Sequence, residues 1–295
     1  MKNKKRLIYI LISLIAVLSI VLGLLFSGVI DISNKTDEPE IIEPDEEPEV
    51  IVQPYRDIWL ENKAINDDYQ GEIIFESGLI NKSFVQAKSC FDKDGNLYTF
   101  YSEKGKLITN PDGLTGNDVY IWTNWKDRTY DYDILGGSVF MDYRNELDDQ
   151  NLIIYGHHFS VQGGHDPKRV KAFTPLELLL DEKNYEDNKY LELVLDNKTN
   201  KYELVCVYIF DSEDEYCLDK CQYYRTEYNY DEFLDIVDSE YYNSYIKAIK
   251  DKALYDTNVE LNNNDKTLTL QTCIAGSNTL YEICVFKLID VAEYE

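Results

Sequence analysis

Lys266 to Leu288 reads KTLTLQTCIAGSNTLYEICVFKL. Thr267, Leu268, Thr269 and Leu270 alternate polar and apolar, with β-branched threonines, which predicts a half-buried strand. The strand runs out at Cys273. A turn-forming Ala275-Gly276-Ser277-Asn278 follows, and Tyr281 to Ile289 reads as an antiparallel partner strand. A cysteine at a strand end beside such a loop is where a rigid scaffold holds a nucleophile. Free cysteine is also among the most buried residue types, so a small core hydrophobe is the competing role.

Upstream, Leu152-Ile153-Ile154-Tyr155 is a continuous apolar run, as expected of a central strand, and it ends at Gly156-His157-His158. A histidine at the end of a buried strand, next to a glycine, can turn its ring to a cleft. His158 should point to the other face if the strand continues, and His165 falls in a loop. Glu72 to Phe75, Ser83 to Ala87, Val119 to Trp125 and Gly137 to Met141 are further predicted strands. Tyr55 to Asn66 reads as a short helix leading into the domain. Asp92 to Asn96 is a turn, because the liganding pattern of a calcium loop stops short. From Asp231 to Ala253, Phe233, Leu234, Val237, Tyr241, Tyr245 and Ala248 recur at helical spacing. Acidic residues at the start of that segment and lysines at its end suit the helix dipole. Short strands, many turns and few helices predict a mostly β barrel or sandwich.

The 295-residue chain holds one domain of ordinary size plus appendages. Its formal charge of −26 excludes nucleic acid as a partner, since phosphate binding needs a basic face. Residues 1–6 form a basic tail with Lys2, Lys4, Lys5 and Arg6, and Leu7 to Ile30 carries no charge over 24 residues. Such a run spans a hydrocarbon core of roughly 30 Å, and it is longer than the apolar region of a cleaved signal peptide. An uncleaved transmembrane anchor over 7–30 is therefore expected, with the basic tail cytoplasmic and the rest outside. Residues 31–54, rich in Glu, Asp and Pro, read as an extended stalk. Residues 55–295 form the body.

Six cysteines and three histidines raise the question of a metal. Cys217-Leu218-Asp219-Lys220-Cys221 has no second close pair, so a four-ligand site is incomplete and no metal or other cofactor is expected. A bridge between Cys217 and Cys221 is open at this stage. Cys90, Cys206 and Cys284 sit in apolar or strand-like surroundings and read as core.

Three blocks in order carry a resemblance. Thr269-Leu270-Gln271-Thr272-Cys273 resembles the T-L-x-T-C signature of sortases, the cysteine transpeptidases of Gram-positive cell surfaces. Gly137-Ser138-Val139-Phe140-Met141-Asp142-Tyr143-Arg144-Asn145 is similar to the G-S-I-F-M-D-Y-R-N block of class B sortases, and Ile153 to His157 to the strand that delivers the family's histidine. The resemblance covers roughly residues 55 to 295. It implies a sortase-like β-barrel with a few peripheral helices, including the helix before the cysteine strand that separates class B from class A. It also implies Cys273 as nucleophile and His157 as the acid and base. Gln271 and Thr272 become the candidate substrate contacts. The expected partners are surface proteins with a C-terminal sorting signal and a peptidoglycan or cross-bridge amine.

One position departs from the pattern. The family carries an arginine on the strand after the cysteine, and here Tyr281 stands there, with no Lys or Arg from Ile274 to Phe286. Lys287 lies roughly 20 Å further along at the rise of a strand, too far to substitute. The Tyr281 hydroxyl, a backbone N–H near Cys273, or a distant Arg144 or Arg225 are the replacement donors to weigh. Two other functions stay open beside transpeptidation: a thiol hydrolase with water as acceptor, and a sortase-fold protein that binds sorting peptides without catalysis.

Overall fold

The computed structural model describes residues 54–131, 137–158, 172–221 and 240–294. The chain divides into Met1–Val52 and Gln53–Glu295, and the described residues all belong to the second unit. The expected membrane anchor and nearly all of the stalk lie outside them, as do His165, Arg225 and the first part of the helix predicted from Asp231. No helix among the described residues is long and apolar enough to cross a membrane.

Eight strands close into a barrel: β1 (Tyr69–Phe75), β2 (Asn81–Val85), β5 (Val139–Met141), β6 (Asn151–Tyr155), β7 (Tyr190–Val194), β8 (Lys198–Asp211), β9 (Thr267–Cys273) and β10 (Leu280–Glu293). Their spatial order is β1-β2-β5-β6-β9-β10-β8-β7, with β7 returning to β1. The pairs β2/β5 and β6/β9 are parallel, and the others are antiparallel. A small hairpin, β3 (Phe100–Tyr101) and β4 (Leu107–Ile108), stands apart. Helix α1 (Pro54–Ile65) leads in, one helical turn, α2 (Tyr185–Asn188), precedes β7, and α3 (Glu240–Lys252) precedes β9.

The strand period of two sorts the side chains. Leu152 and Ile154 of β6, Leu268 and Leu270 of β9, and Phe286 of β10 point into the barrel with Phe75, Phe84 and Leu204. Each such fully buried side chain contributes about 1.5–3 kcal/mol. On the outer face Ile153, Ile283 and Val285 pack under Tyr245 and Ile249 of α3. The strands β6 and β9 are thus covered on both sides, which explains the unbroken apolar run at Leu152–Tyr155.

That double cover also corrects the expectation of a half-buried strand at Thr267–Leu270. Both threonines are buried, and their hydroxyls donate to the Asn151 side-chain oxygen at 2.9 Å each. The polar half of the alternation marks hydrogen-bonded threonines and not a solvent face. Val119–Trp125 is likewise not a strand. Asp118 accepts from the Thr115 N–H and hydroxyl, a 3-10 turn spans Gly116–Val119, and only a bridge between Thr123 and Tyr130 follows. Val119, Tyr120 and Trp125 fill the core outside β1, β2 and β5 instead of joining a sheet. At Asp92–Asn96 the expected turn is present, with the Asp92 carboxylate accepting the N–H groups of Asp94 and Asn96. All six cysteines are free thiols; Cys217 and Cys221 are both buried and unbridged, and only Cys273 is exposed.

Candidate active site

The parallel pair β6/β9 brings residues 116 positions apart to one end of the barrel. Beyond the ladder, the Gly156 N–H donates to the Gln271 carbonyl at 3.1 Å. The Thr272 hydroxyl donates to the Gly156 carbonyl at 2.7 Å. Cys273, the last residue of β9, and His157, just past the end of β6, therefore come to the same end of the barrel and line one pocket of about 270 Å³ with Asn117, Ile121, Phe140 and Arg144.

Two glycines set the histidine. A Cβ on Gly156 would lie 2.6 Å from the buried Phe173 ring, so only glycine lets that ring close on the turn out of β6. Gly137 has φ +75 and approaches the Ile121 carbonyl so closely that a Cβ would sit 2.0 Å from its oxygen. That same carbonyl is 2.9 Å from His157 Nε2. A carbonyl can only accept, so Nε2 carries a proton. In the neutral ring this leaves Nδ1 with the lone pair. The ring stacks on Trp122, with centroids 4.3 Å apart. Burial lowers the His157 pKa, with the Ile121 hydrogen bond and Glu103 acting against it. Desolvation by the pocket walls raises the Cys273 thiol, although the residue itself is exposed. The resting pair is thus a thiol beside a neutral imidazole.

Tyr281 is the register partner of Cys273 across β9 and β10. Burial first, and the cysteine second, raise its hydroxyl pKa, so it remains a donor at neutral pH. The N–H following the cysteine is already committed, since Ile274 N–H donates to the Leu280 carbonyl at 2.9 Å. Gln271 lines the pocket with a shielded side-chain oxygen that has no hydrogen-bond partner among the described residues. Thr272 also lines it, but is 1% exposed with its hydroxyl given to Gly156. His158 turns inward, its Nε2 3.0 Å from Glu177, and does not line the pocket.

Sequence reasoning left Arg144 as a distant cation and did not single out Asp142. Arg144 stands in the pocket wall. Asp142 is fully buried and accepts from Arg144 Nε at 2.9 Å, Arg144 Nη2 at 2.8 Å and the Arg144 N–H at 3.0 Å. It also accepts from Asn117 Nδ2 at 3.2 Å and the Tyr155 hydroxyl at 2.8 Å. Desolvation opposes its ionisation, but the bonds and charge of Arg144 prevail and hold the carboxyl below its ordinary value. One buried carboxylate therefore organises the wall that Asn117, Arg144 and Tyr155 present to the pocket. The Asp-x-Arg spacing in the block from Gly137 to Asn145 was the available signal. Among the described residues no group of His, Cys, Asp and Glu could hold a metal ion.

No model of a known protein family matches the chain. It is 32% identical over 160 residues to sortase B of Staphylococcus aureus, a match covering 53% of this chain and 56% of that protein. It is 26% identical over 159 residues to sortase B of Listeria monocytogenes, covering 53% and 54%. The match thus spans about half the length of these two relatives. In structure it is similar to Clostridium perfringens sortase B, with a TM-score of 0.55 and 25% identity over 78% of this chain and 99% of the other. The chain is thus similar to sortase B proteins in sequence over about half its length, and to solved sortase B structures in fold over most of it.

Proposed function

We propose that the chain is a membrane-anchored, class B-like sortase whose catalytic domain faces the outside of the cell. The observation that carries this reading is the shared pocket of Cys273 and His157 at the ends of two parallel strands. Cys273 attacks the scissile carbonyl of a C-terminal sorting signal and its proton passes to the Nδ1 lone pair of His157. The tetrahedral oxyanion collapses to a thioacyl enzyme as His157 protonates the departing amine. A second amine, from peptidoglycan or its cross-bridge, then attacks the thioester and gives its proton to His157; the C–S bond breaks, the acyl group leaves as the new amide, and His157 returns the proton to the Cys273 sulfur. Two side-chain donors stand at the site for the oxyanion in place of the family arginine: the Tyr281 hydroxyl, opposite Cys273, and the Arg144 guanidinium in the pocket wall. Gln271, with its unpartnered oxygen, is suited to accept an N–H from the bound peptide.

The absence of Lys and Arg from Ile274 to Phe286 favours a second reading, a sorting-peptide binder with little or no catalysis. One assay separates the two. The purified full chain is incubated with a library of sorting-signal peptides, with and without an amine acceptor, beside Cys273→Ala. Acceptor-dependent ligation that disappears in the variant is expected. Saturable binding with no thioacyl adduct would establish the second reading, and cleavage indifferent to acceptor would make the protein a thiol hydrolase.

A further inference from the structure

The His157 ring leans on a turn that is itself tightly held. From Tyr120 to Thr123 four successive backbone carbonyls each accept a hydrogen bond. The Tyr120 carbonyl takes the Ser138 N–H at 3.1 Å, Ile121 takes His157 Nε2 at 2.9 Å, and Trp122 takes the Asp131 N–H at 2.9 Å. The Thr123 carbonyl takes the Ser138 hydroxyl at 2.6 Å. Asp131 is braced in turn, its carboxylate by Asn124 Nδ2 at 3.1 Å and its carbonyl by the Gly137 N–H at 2.7 Å. Val119 and Tyr120 root the turn in the core outside β1, β2 and β5. Such a backbone cannot shift without unpairing one of these groups. From it the half-buried Trp122 lays its ring almost flat on the imidazole, with centroids 4.3 Å and planes 25° apart. The hydrogen bond fixes one atom of the imidazole, and the stack fixes its plane.

We propose that Trp122 is a positioning residue for His157: its indole pins the plane of the imidazole while the Ile121 carbonyl holds the Nε2 proton, so that the ring keeps one rotamer and one tautomer, with the lone pair on Nδ1. A neutral imidazole that can turn divides its proton between the two nitrogens, and a ring protonated at Nδ1 has no lone pair there with which to take a proton from a thiol. Geometry comes before basicity in such a transfer, because a base must reach the proton that it removes. An indole face attracts a cation, whereas the burial that it provides disfavours one. The tautomer, and not the titration midpoint, is therefore the property that isolates the part played by Trp122. The consequence for acyl transfer rests on the proposed function; the state of the ring does not.

The test labels the histidines of the full chain isotopically, in detergent micelles, and reads the ring nitrogens by NMR where the neutral form prevails. It compares the parent, Trp122→Leu and Trp122→Phe, with the His157 signals assigned by their loss in His157→Gln. In the parent the two nitrogen shifts should lie far apart, as for a proton fixed on Nε2, with the ring CH protons moved upfield by the indole. Trp122→Leu keeps an apolar cover but no aromatic face, and its two shifts should draw together as the tautomers mix. Trp122→Phe should restore most of the separation. For a sorting peptide, kcat of Trp122→Leu should fall about 10-fold or more with KM little changed. A ring in Trp122→Leu that keeps the separation of the parent overturns the proposal, and so does an unchanged kcat. A parent that turns over no peptide counts against the proposed function alone, and the ring still judges Trp122. Should Trp122→Leu not fold, the parent decides: averaged shifts, or a proton on Nδ1, overturn the proposal, and a proton fixed on Nε2 in a ring shifted upfield supports it.

Discussion

Asp142→Asn is the substitution whose consequences follow most directly from the geometry. The asparagine keeps the shape and one oxygen, but puts an NH2 where Asn117, Tyr155 and Arg144 Nη2 now donate. It also leaves the Arg144 guanidinium without its counter-charge in a wall where the arginine side chain is 20% and the aspartate 0% exposed. Removing one partner of a buried pair costs about 3–5 kcal/mol. Because Arg144 keeps some contact with water, the low end applies, about 3 kcal/mol. For a domain of this size each kcal/mol moves Tm by about 2–4 °C, so a fall of roughly 6–12 °C is expected. The folded carboxyl lies below its ordinary value. Its contribution is therefore present above the unfolded pKa, about 3.9, and is lost as pH falls through the folded value. Urea denaturation of parent and variant at pH 7, and at successive pH values down to 3, measures both effects. The deficit of the variant should be widest near neutrality and narrow below about pH 4. A variant within 1 kcal/mol of the parent at pH 7, or a deficit that does not shrink in acid, would refute the assignment of Asp142 as the charged hub of the pocket wall.

Two further outcomes follow from single contacts. Thr272→Val removes the hydroxyl that holds Gly156 and leaves that carbonyl unpaired, at a cost of about 1–3 kcal/mol. Denaturation should record that loss together with slower alkylation of Cys273, and unchanged alkylation would mean that the tie does not position the thiol. Tyr281→Arg places a cation opposite Cys273 and should raise turnover of a sorting peptide at least 10-fold, given the roughly 100- to 1,000-fold value of one oxyanion donor. Equal or lower turnover in a folded variant would show that another group already serves that role.

Much of the site was legible along the chain because it is written in local signals. The turn residues after Cys273 and the glycine before His157 each mark a strand end. Neighbouring side chains on those strands alternate by a rule that needs no knowledge of partners. Thr267 and Thr269 resisted the same rule. A buried threonine bonded to Asn151 and an exposed one write the same letter, and only the cover supplied by α3 distinguishes them. Val119–Trp125 was misread for a related reason, since apolar residues in a turn that plugs a core look like apolar residues in a sheet. Arg144 was placed far from the cysteine because separation along a chain says nothing about separation across a barrel.

By itself, then, the sequence determined that this is a β-rich chain with a cysteine and a histidine at two strand ends, and that no basic residue lies from Ile274 to Phe286 after the cysteine. It could do so because strand period, turn chemistry and charge are properties of near neighbours. The tertiary structure alone decided that β6 and β9 lie side by side and parallel, which turns two strand ends into one pocket. It also decided that Glu282 is sealed with no counter-charge among the described residues, and that Asp142 gathers Asn117, Arg144 and Tyr155. Those facts depend on which surfaces closing the barrel removes from water, and no stretch of sequence carries that information before the barrel has closed.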